Sequence, residues 1–257
     1  MALALDLKKA EQTLVLDLQK AGITNIPSVD VAFDLDVSGS FDDEHKAGLT
    51  NDIVSRLIPW GLVFDPDKKI DMFTFSNGAR NAYYVGEINE KNYLNYVWDN
   101  IIDKVPGYNG GTDYHYVLRK NLQHFGWLAP DVAAVQPKSG GFFGKMFGGH
   151  AQPAAASVNT SVKRKSLVLF GTDGDNSDKA ETRQLLQEME QRGDEMYVQF
   201  FAFSNQGGQF RFLQEIADEF SNTGLHICRN IPAFLKMSDE EINQILIQQE
   251  LIDWLKK

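Results

Sequence analysis

Val31-Ala-Phe-Asp-Leu-Asp-Val-Ser-Gly-Ser40 is an apolar run with the composition of a buried strand, and it ends on three oxygen-bearing side chains spaced two apart, Asp36, Ser38 and Ser40. A strand end of this kind collects hard donors for a divalent cation. Two later segments share the design. Gly110-Gly-Thr-Asp113 opens a helical pattern, and Ser166-Leu-Val-Leu-Phe-Gly-Thr-Asp-Gly174 is a second apolar run that ends in Asp173. Three such loops can meet at one point on the edge of a sheet.

Outward from that run, Asp43 is placed to cap a helix extending to about Leu57, and Lys69-Ile-Asp-Met-Phe-Thr-Phe75 has the pattern of a second strand closed by the turn Ser76-Asn-Gly78. Ala82-Tyr-Tyr-Val-Gly-Glu-Ile88 follows too closely for a crossover helix. A parallel neighbour needs a dozen or more connecting residues, so this third strand pairs antiparallel at an edge. Helical spacing marks Tyr93–Ile102, Tyr114–Phe125, 179–192 and 209–219, and strands are expected at 166–171, 196–203 and 224–228. This alternation predicts an α/β fold: a Rossmann-like, doubly wound, mainly parallel six-stranded sheet with one antiparallel edge strand and helices on both faces. Sites in such sheets lie at the carboxyl ends of the strands, near the point where strand order reverses.

The segment before the first strand, residues 1–26, has apolar residues at Leu5, Leu7, Leu14, Leu16 and Leu18, a spacing open to strand or helix. At the other end, Ser238-Asp-Glu-Glu241 is a capping box, and Ile242, Ile245, Leu246, Leu251, Ile252 and Leu255 continue it as a C-terminal helix over 238–257. Between Ala129 and Lys165 the composition turns to Gly, Ala, Pro, Ser and Val, with Asp131 the lone acid, which predicts a flexible inserted loop. Within it, Gly140-Gly-Phe-Phe-Gly-Lys-Met-Phe-Gly-Gly149 sets four large apolar residues among glycines. Its apolar residues either form a docking patch or lie on the protein's own surface. The organisation expected is therefore one domain over 1–257 with an N-terminal extension, an insertion and a C-terminal helix.

With 257 residues and 43% of them hydrophobic, the chain has ample material for a packed core. A net charge of −10 argues against the nucleic-acid backbone as a partner, because that binding needs clustered Lys and Arg. The single cysteine, Cys228, excludes an intramolecular disulfide and a cysteine-based zinc site, and has the character of a small buried hydrophobe in a reducing compartment. Asp6, Lys8 and Lys9 interrupt what a signal peptide would need as an apolar core, and no run approaches about 18 apolar residues. The expectation is a cytoplasmic protein with no membrane-spanning segment.

Asp36, Ser38, Ser40, Thr112 and Asp173 together offer two carboxylates and three hydroxyls, the oxygen-rich surroundings that Mg²⁺, Mn²⁺ or Ca²⁺ prefers over zinc. Such a set leaves the ion unsaturated and open to water or an incoming carboxylate. The D-x-S-x-S of Asp36-Val-Ser-Gly-Ser40, the Thr112 of Gly-Gly-Thr-Asp and the Asp173 of Thr-Asp-Gly resemble, in order and at the expected strand ends, a von Willebrand factor A (vWA) domain with a metal-ion-dependent adhesion site. The resemblance runs from about Pro27 to Ile231. Within the family, bacterial cytoplasmic vWA proteins linked to tellurite resistance and stress response, and copine-type domains, are the most similar. The resemblance implies a non-catalytic, metal-dependent protein-binding domain. Ser38 and Ser40 would bind the ion directly, Thr112 directly when a partner is engaged, and Asp36 and Asp173 directly or through water. A partner protein would complete the shell with an Asp or Glu. Phe41 stands where many members have Met, and the 129–165 insertion falls just before the fourth strand.

Taken singly, each of these residues also has a plain structural reading, since Asp and Ser at strand ends commonly form turns. Asp175 and Asp178 fit the turn and N-cap of the following helix, and Asp42 and Asp43 are first-turn acids favoured by the helix dipole. Of the five histidines, His115 is the one placed near the site by sequence, in a structural role. Asp34 lies inside an apolar strand and needs a partner there. It also carries a rival reading. Phe33-Asp-Leu-Asp-Val37 is similar to the D-x-D-x-T/V motif of Mg²⁺-dependent haloacid-dehalogenase phosphatases, which would make Asp34 a nucleophile and Asp36 its acid/base, and Gly174-Asp-Asn-Ser-Asp178 is similar to that family's acidic metal motif. Against it, Asp34 falls two residues short of the strand end, no lysine motif stands in register, and Thr112 is left without a role.

Overall fold

The computed structural model of the chain describes residues 6–131, 163–204 and 208–257, so the heart of the expected insertion, including Gly140–Gly149, lies outside the described residues. The ambiguous N-terminal segment is helix α1 (Leu7–Lys20), capped by the Asp6 carboxylate accepting from Lys9 N–H. Strand β1 (Val29–Asp36) follows. A single 3₁₀ turn at Gly39–Phe41 then leads through the short α2 (Asp42–Lys46) to α3 (Leu49–Phe64). The helix expected to end near Leu57 therefore starts later and runs on through Pro59. That proline cannot return a hydrogen bond to Ser55, yet Leu57, Ile58, Trp60, Leu62 and Phe64 are all buried, and their burial outweighs the missing bond.

Strand β2 (Ile70–Phe75) is parallel to β1, and β3 (Tyr83–Ile88) pairs with β2 antiparallel, as the short connection requires. The helix expected over Tyr93–Ile102 is confined to α4 (Tyr96–Asn100), because Asn95 and Asp103 adopt left-handed backbone at φ 60 and 57 and break the turn on either side. Next come α5 (His115–His124), β4 (Lys165–Thr172), α6 (Lys179–Arg192), β5 (Met196–Phe203), α7 (Arg211–Glu219) and β6 (Thr223–Cys228). After the short α8 (Ile231–Leu235), the single C-terminal helix expected over 238–257 is instead two pieces, α9 (Asp239–Leu246) and α10 (Gln249–Lys256). The capping box at Ser238 and Glu241 is present. The break falls at Ile247 and Gln248, whose backbone leaves the helix with neither Gly nor Pro to mark it.

The sheet order is β3-β2-β1-β4-β5-β6, parallel except for β3. From β1 the chain winds one way to β2 and β3, then returns to place β4 on the other side of β1. The carboxyl ends of β1 and β4 thus flank the crevice where strand order reverses. Because both sheet faces are covered, alternation along β1 sorts side chains between two buried layers. Val31, Phe33, Leu35 and Val37 join the layer under α1, α3, α9 and α10, whereas Ala32 joins the layer under α5, α6 and α7. Helix α1 packs on α3 and α9. Among the described residues, no helix is long and apolar enough to cross a membrane.

The close seating of α3 on the sheet depends on Gly61. A Cβ there would stand 2.4 Å from Ile70 Cγ1 and 2.5 Å from the Lys69 carbonyl oxygen. Gly61→Ala is expected to destabilise the fold by about 1–3 kcal/mol through overpacking, read as a lower midpoint in urea unfolding; an unchanged midpoint would contradict this packing.

Candidate metal centre

The five sequence-predicted donors stem from three loops at the carboxyl edge of the sheet. Asp36 ends β1 with no exposed surface, and its two oxygens are held separately: Oδ1 accepts from Ser38 N–H at 2.8 Å, and Oδ2 accepts from the Thr172 hydroxyl at 2.6 Å. The β1–β4 register, Leu35 opposite Gly171, sets Thr172 beside Asp36. From there a chain of side chains leads outward. The Ser38 and Ser40 hydroxyls lie 3.2 Å apart, and Ser40 donates to Asp173 Oδ1 at 2.9 Å. Asp36, Ser38, Ser40 and Asp173 are therefore one connected cluster.

Thr112 arrives by backbone pairing. Asn109 N–H donates to Val37 C=O, Gly39 N–H donates to Gly110 C=O, and Gly110 bridges Ser38 in parallel fashion. Two glycines permit this approach. Gly107 has φ +74, and at Gly110 a Cβ would stand 2.7 Å from Asn77 Oδ1 and 2.9 Å from Gly107 C=O. On its other side, Thr112 C=O accepts from Ser177 N–H, which ties it to the loop after β4. Thr112 is thus seated between the first and third loops and buried to 9% exposure, with its hydroxyl outside the Ser38–Ser40–Asp173 chain.

Electrostatically the cluster lacks positive charge. Burial pushes the Asp36 carboxyl up to about 6 against the hydrogen bonds from Thr172 and Ser38. Asp173 rises to about 7 through burial and then through the nearby charge of Asp36. Among the described residues no lysine or arginine ion-pairs with either carboxylate. Buried Asp36 and half-buried Asp173, joined through Ser38 and Ser40 with no lysine or arginine between them, fit a hard divalent ion. Among the described residues no three His, Cys, Asp or Glu side chains cluster as metal ligands, so any ion here must take hydroxyl donors.

Sequence reasoning gave no role to Thr172 and missed two further supporting residues. His45, on α2, is fully buried between the Asp36 carbonyl, 2.9 Å from Nε2, and the Thr50 hydroxyl, 2.8 Å from Nδ1. A carbonyl can only accept, so Nε2 carries the proton and Thr50 donates to Nδ1. Burial lowers the imidazole to about 4 and keeps it neutral. Its position four residues after Phe41, whose ring it meets at 5.1 Å, was the available signal. Tyr114 is the second. Its hydroxyl contacts Thr172 at 3.1 Å and the Gly174 carbonyl, while its ring packs edge-on against Phe75 and Phe170. His115 holds no donor role at the cluster; its ring packs on Tyr116.

Asp178 differs from expectation in a useful way. Rather than bonding to the N–H groups of its own helix, its carboxylate accepts from Tyr114 N–H at 3.0 Å and His115 N–H at 2.8 Å, capping the start of α5. The orphan donors of α5 and their dipole lie beside the start of α6, and a carboxylate there serves the neighbouring helix. Asp113 likewise accepts from Gly78 N–H at 2.7 Å, tying the Thr112 loop to the turn after β2. Asp34 is apart from all of this. It has no exposed surface and accepts from Asn121 of α5 at 2.6 Å, and burial raises its carboxyl to about 7.

A six-stranded sheet of this order, with a D-x-S-x-S loop, a threonine loop and an aspartate loop gathered at its switch point, defines a von Willebrand factor A domain. The chain belongs to the vWA-TerF-like family, the vWA found in the TerF C terminus, whose model matches residues 28–257. No curated protein matches the chain significantly. Among solved structures, proximal thread matrix protein 1 from the mussel byssus is similar at TM-score 0.50 and 14% identity, over 86% of this chain and 48% of that one, a likeness of fold. This chain thus spans about half of that protein's length. A form of the same mussel protein with a zinc-occupied MIDAS motif gives 0.45 at 15% identity, covering 82% and 47% of the two chains. Manganese-loaded TRAP protein from Plasmodium vivax gives 0.43 at 14%, covering 83% and 73%.

His45→Phe keeps the ring but leaves the Asp36 carbonyl and Thr50 hydroxyl unpaired. It is expected to destabilise the protein by about 1–3 kcal/mol in chemical unfolding, and an unaffected midpoint would remove His45 as a support of the Asp36 loop.

Proposed function

We propose that the chain is a non-catalytic recognition domain that holds a divalent cation on Asp36, Ser38, Ser40, Thr112 and Asp173 and engages another protein through an Asp or Glu of that partner. Mg²⁺ is the ion proposed first, with Mn²⁺ or Ca²⁺ as alternatives suited to the same oxygen donors. The observation that carries this reading is a pair of carboxylates, buried Asp36 and half-buried Asp173, linked through the Ser38 N–H and the Ser38 and Ser40 hydroxyls with no lysine or arginine between them. A bound divalent ion supplies the missing positive charge and an attraction for an anionic oxygen. The protein's own part is to hold the donors in place: Thr172 and Ser38 N–H fix the two oxygens of Asp36, His45 fixes its carbonyl, and the Gly107–Gly110 approach seats Thr112.

The reading includes a cytoplasmic location, supported by the lone, buried, unpaired Cys228, and no role in binding nucleic acid, supported by the charge of −10. A setting in tellurite resistance or stress response draws its support from the match to the TerF vWA domain. We also take 1–257 to act as one unit, since α1 packs on α3 and α9. The phosphatase alternative loses its nucleophile: Asp34 is fully buried and engaged by Asn121, two residues below the edge where the loops meet. A carboxylate so placed does not reach a phosphate ester.

Calorimetric titration with Mg²⁺ and Mn²⁺ tests the ion. Asp36→Ala is expected to lose binding by at least about tenfold and Thr172→Val, acting through Asp36, by about 10–100-fold, while Asp34→Asn keeps it. Wild-type affinity in Asp36→Ala would end the proposal. Capture of partner proteins from lysate with and without EDTA tests the function, with binding expected to vanish on chelation; a partner retained in EDTA would show recognition independent of the ion.

A further inference from the structure

A second surface of the molecule is built for contact, at the opposite side of the sheet from β3. Strand β6 ends the sheet, and the bonds Val198 N–H to Asn222 C=O at 3.0 Å and Ser204 N–H to Cys228 C=O at 2.9 Å fix the phase of its ladder with β5. Asn222, Gly224, His226 and Cys228 turn their backbone groups to β5. Leu225 and Ile227, half-buried, therefore turn their N–H and C=O groups outward from the sheet. Along the start of this edge runs a groove of about 350 Å³ with Thr223, Gly224 and Leu225 as its floor, α7 residues including Asp218 on one wall, and Gln248 and Glu250 at the start of α10 on the other. Nearby Glu215 and Glu219 are neutralised by Arg183, whereas among the described residues Asp218 and Glu250 have no such cation.

Behind the groove stand two unsatisfied polar groups. A Cβ at Gly224 would lie 2.5 Å from the Tyr197 hydroxyl and 2.6 Å from Gln199 Oε1, so these atoms fill the space that a side chain would take. Tyr197 is 0% and Gln199 1% exposed, and among the described residues neither of the two atoms has a hydrogen-bond partner. Gln199 Oε1 can only accept, so it requires an N–H or O–H donor. An acidic groove, outward-facing strand amides and a buried acceptor beside a glycine window call for the same kind of occupant.

We propose that the outer edge of β6 is a docking site for an extended, basic segment of another protein, which adds as a seventh strand on Leu225 and Ile227 and directs a Lys or Arg side chain past Gly224 toward Glu250 and Gln199. Backbone pairing supplies affinity in this mode, and the side-chain pockets supply specificity. A second copy of this chain is a poor occupant, because edge-to-edge pairing would set Asp218 and Glu250 against their own kind. The site is independent of the metal centre at the carboxyl edge.

Amide hydrogen exchange of the full chain by NMR, with and without a short peptide alternating Lys and Val, tests the proposal. The Leu225 and Ile227 amides are expected to slow by about tenfold or more with this peptide, and to be unaffected by its Glu–Val counterpart. The exposed-site double variant Asp218→Lys with Glu250→Lys is expected to reverse the preference, while Mg²⁺ titration of that variant remains as in the wild type. No slowing with the Lys–Val peptide, equal slowing with both peptides, or amides already protected in a self-associated free protein would each overturn it.

Discussion

The buried carboxylate of Asp36 is the interaction on which the rest of the carboxyl edge depends. Asp36 is bonded from three directions: its carboxylate from ahead in the chain by Ser38 N–H and from β4 by Thr172, and its backbone carbonyl from α2 by His45. Removing a carboxylate from water is unfavourable unless its oxygens are used. Here each oxygen has a different owner, so the position of Asp36 encodes where β4 and α2 must be. The first turn after β1, the seating of Phe41 against Phe203 and the approach of Asp173 through Ser40 all follow from that fixed point.

Around it the sheet divides the interior into two layers of different character. The layer shared by α1, α3, α9 and α10 is almost wholly apolar where β1 contributes to it, through Val31, Phe33, Leu35 and Val37. The other layer carries Asp34 and Asp36 on the same strand face as Ala32, and takes polar partners from α5 and β4. Along β1 polarity is thus admitted on one face only, the face whose helix begins at the Thr112 loop.

Much of this was legible in the sequence. The β1 run, the antiparallel β3 and the three loops that meet at the carboxyl edge were readable because burial on both faces gives continuous apolar strands, and because a short connection forbids a parallel neighbour. The meeting of Asp36, Ser38, Ser40 and Asp173 was readable from residue type and order. Other features were not, for physical reasons. Pro59 signals a helix end, but the apolar residues beyond it are buried and carry α3 on. Asn95 and Asp103 take left-handed backbone that their sequence neighbours do not announce. The periodicity of Ile245, Leu246 and Leu251 runs straight across a break at Gln248. Asp178 looked like a cap for the helix it precedes and caps another, because a carboxylate responds to nearby N–H donors whichever helix owns them. His45 carried no chemical motif at all; its role comes from folding α2 back over the strand that holds Asp36.

Helix α5 is fastened at its start by Asp178, in its middle by Asn121 to Asp34 of β1, and at its end by His124, whose Nε2 lies 3.2 Å from Asp71 of β2. Its first residue stands three positions after Thr112. A helix tied at its start, middle and end couples the Thr112 loop to both strands. Any pull exerted on that threonine loads the Asp34 and Asp71 attachments on two strands at once, so the compliance of the carboxyl edge is shared with the interior of the sheet.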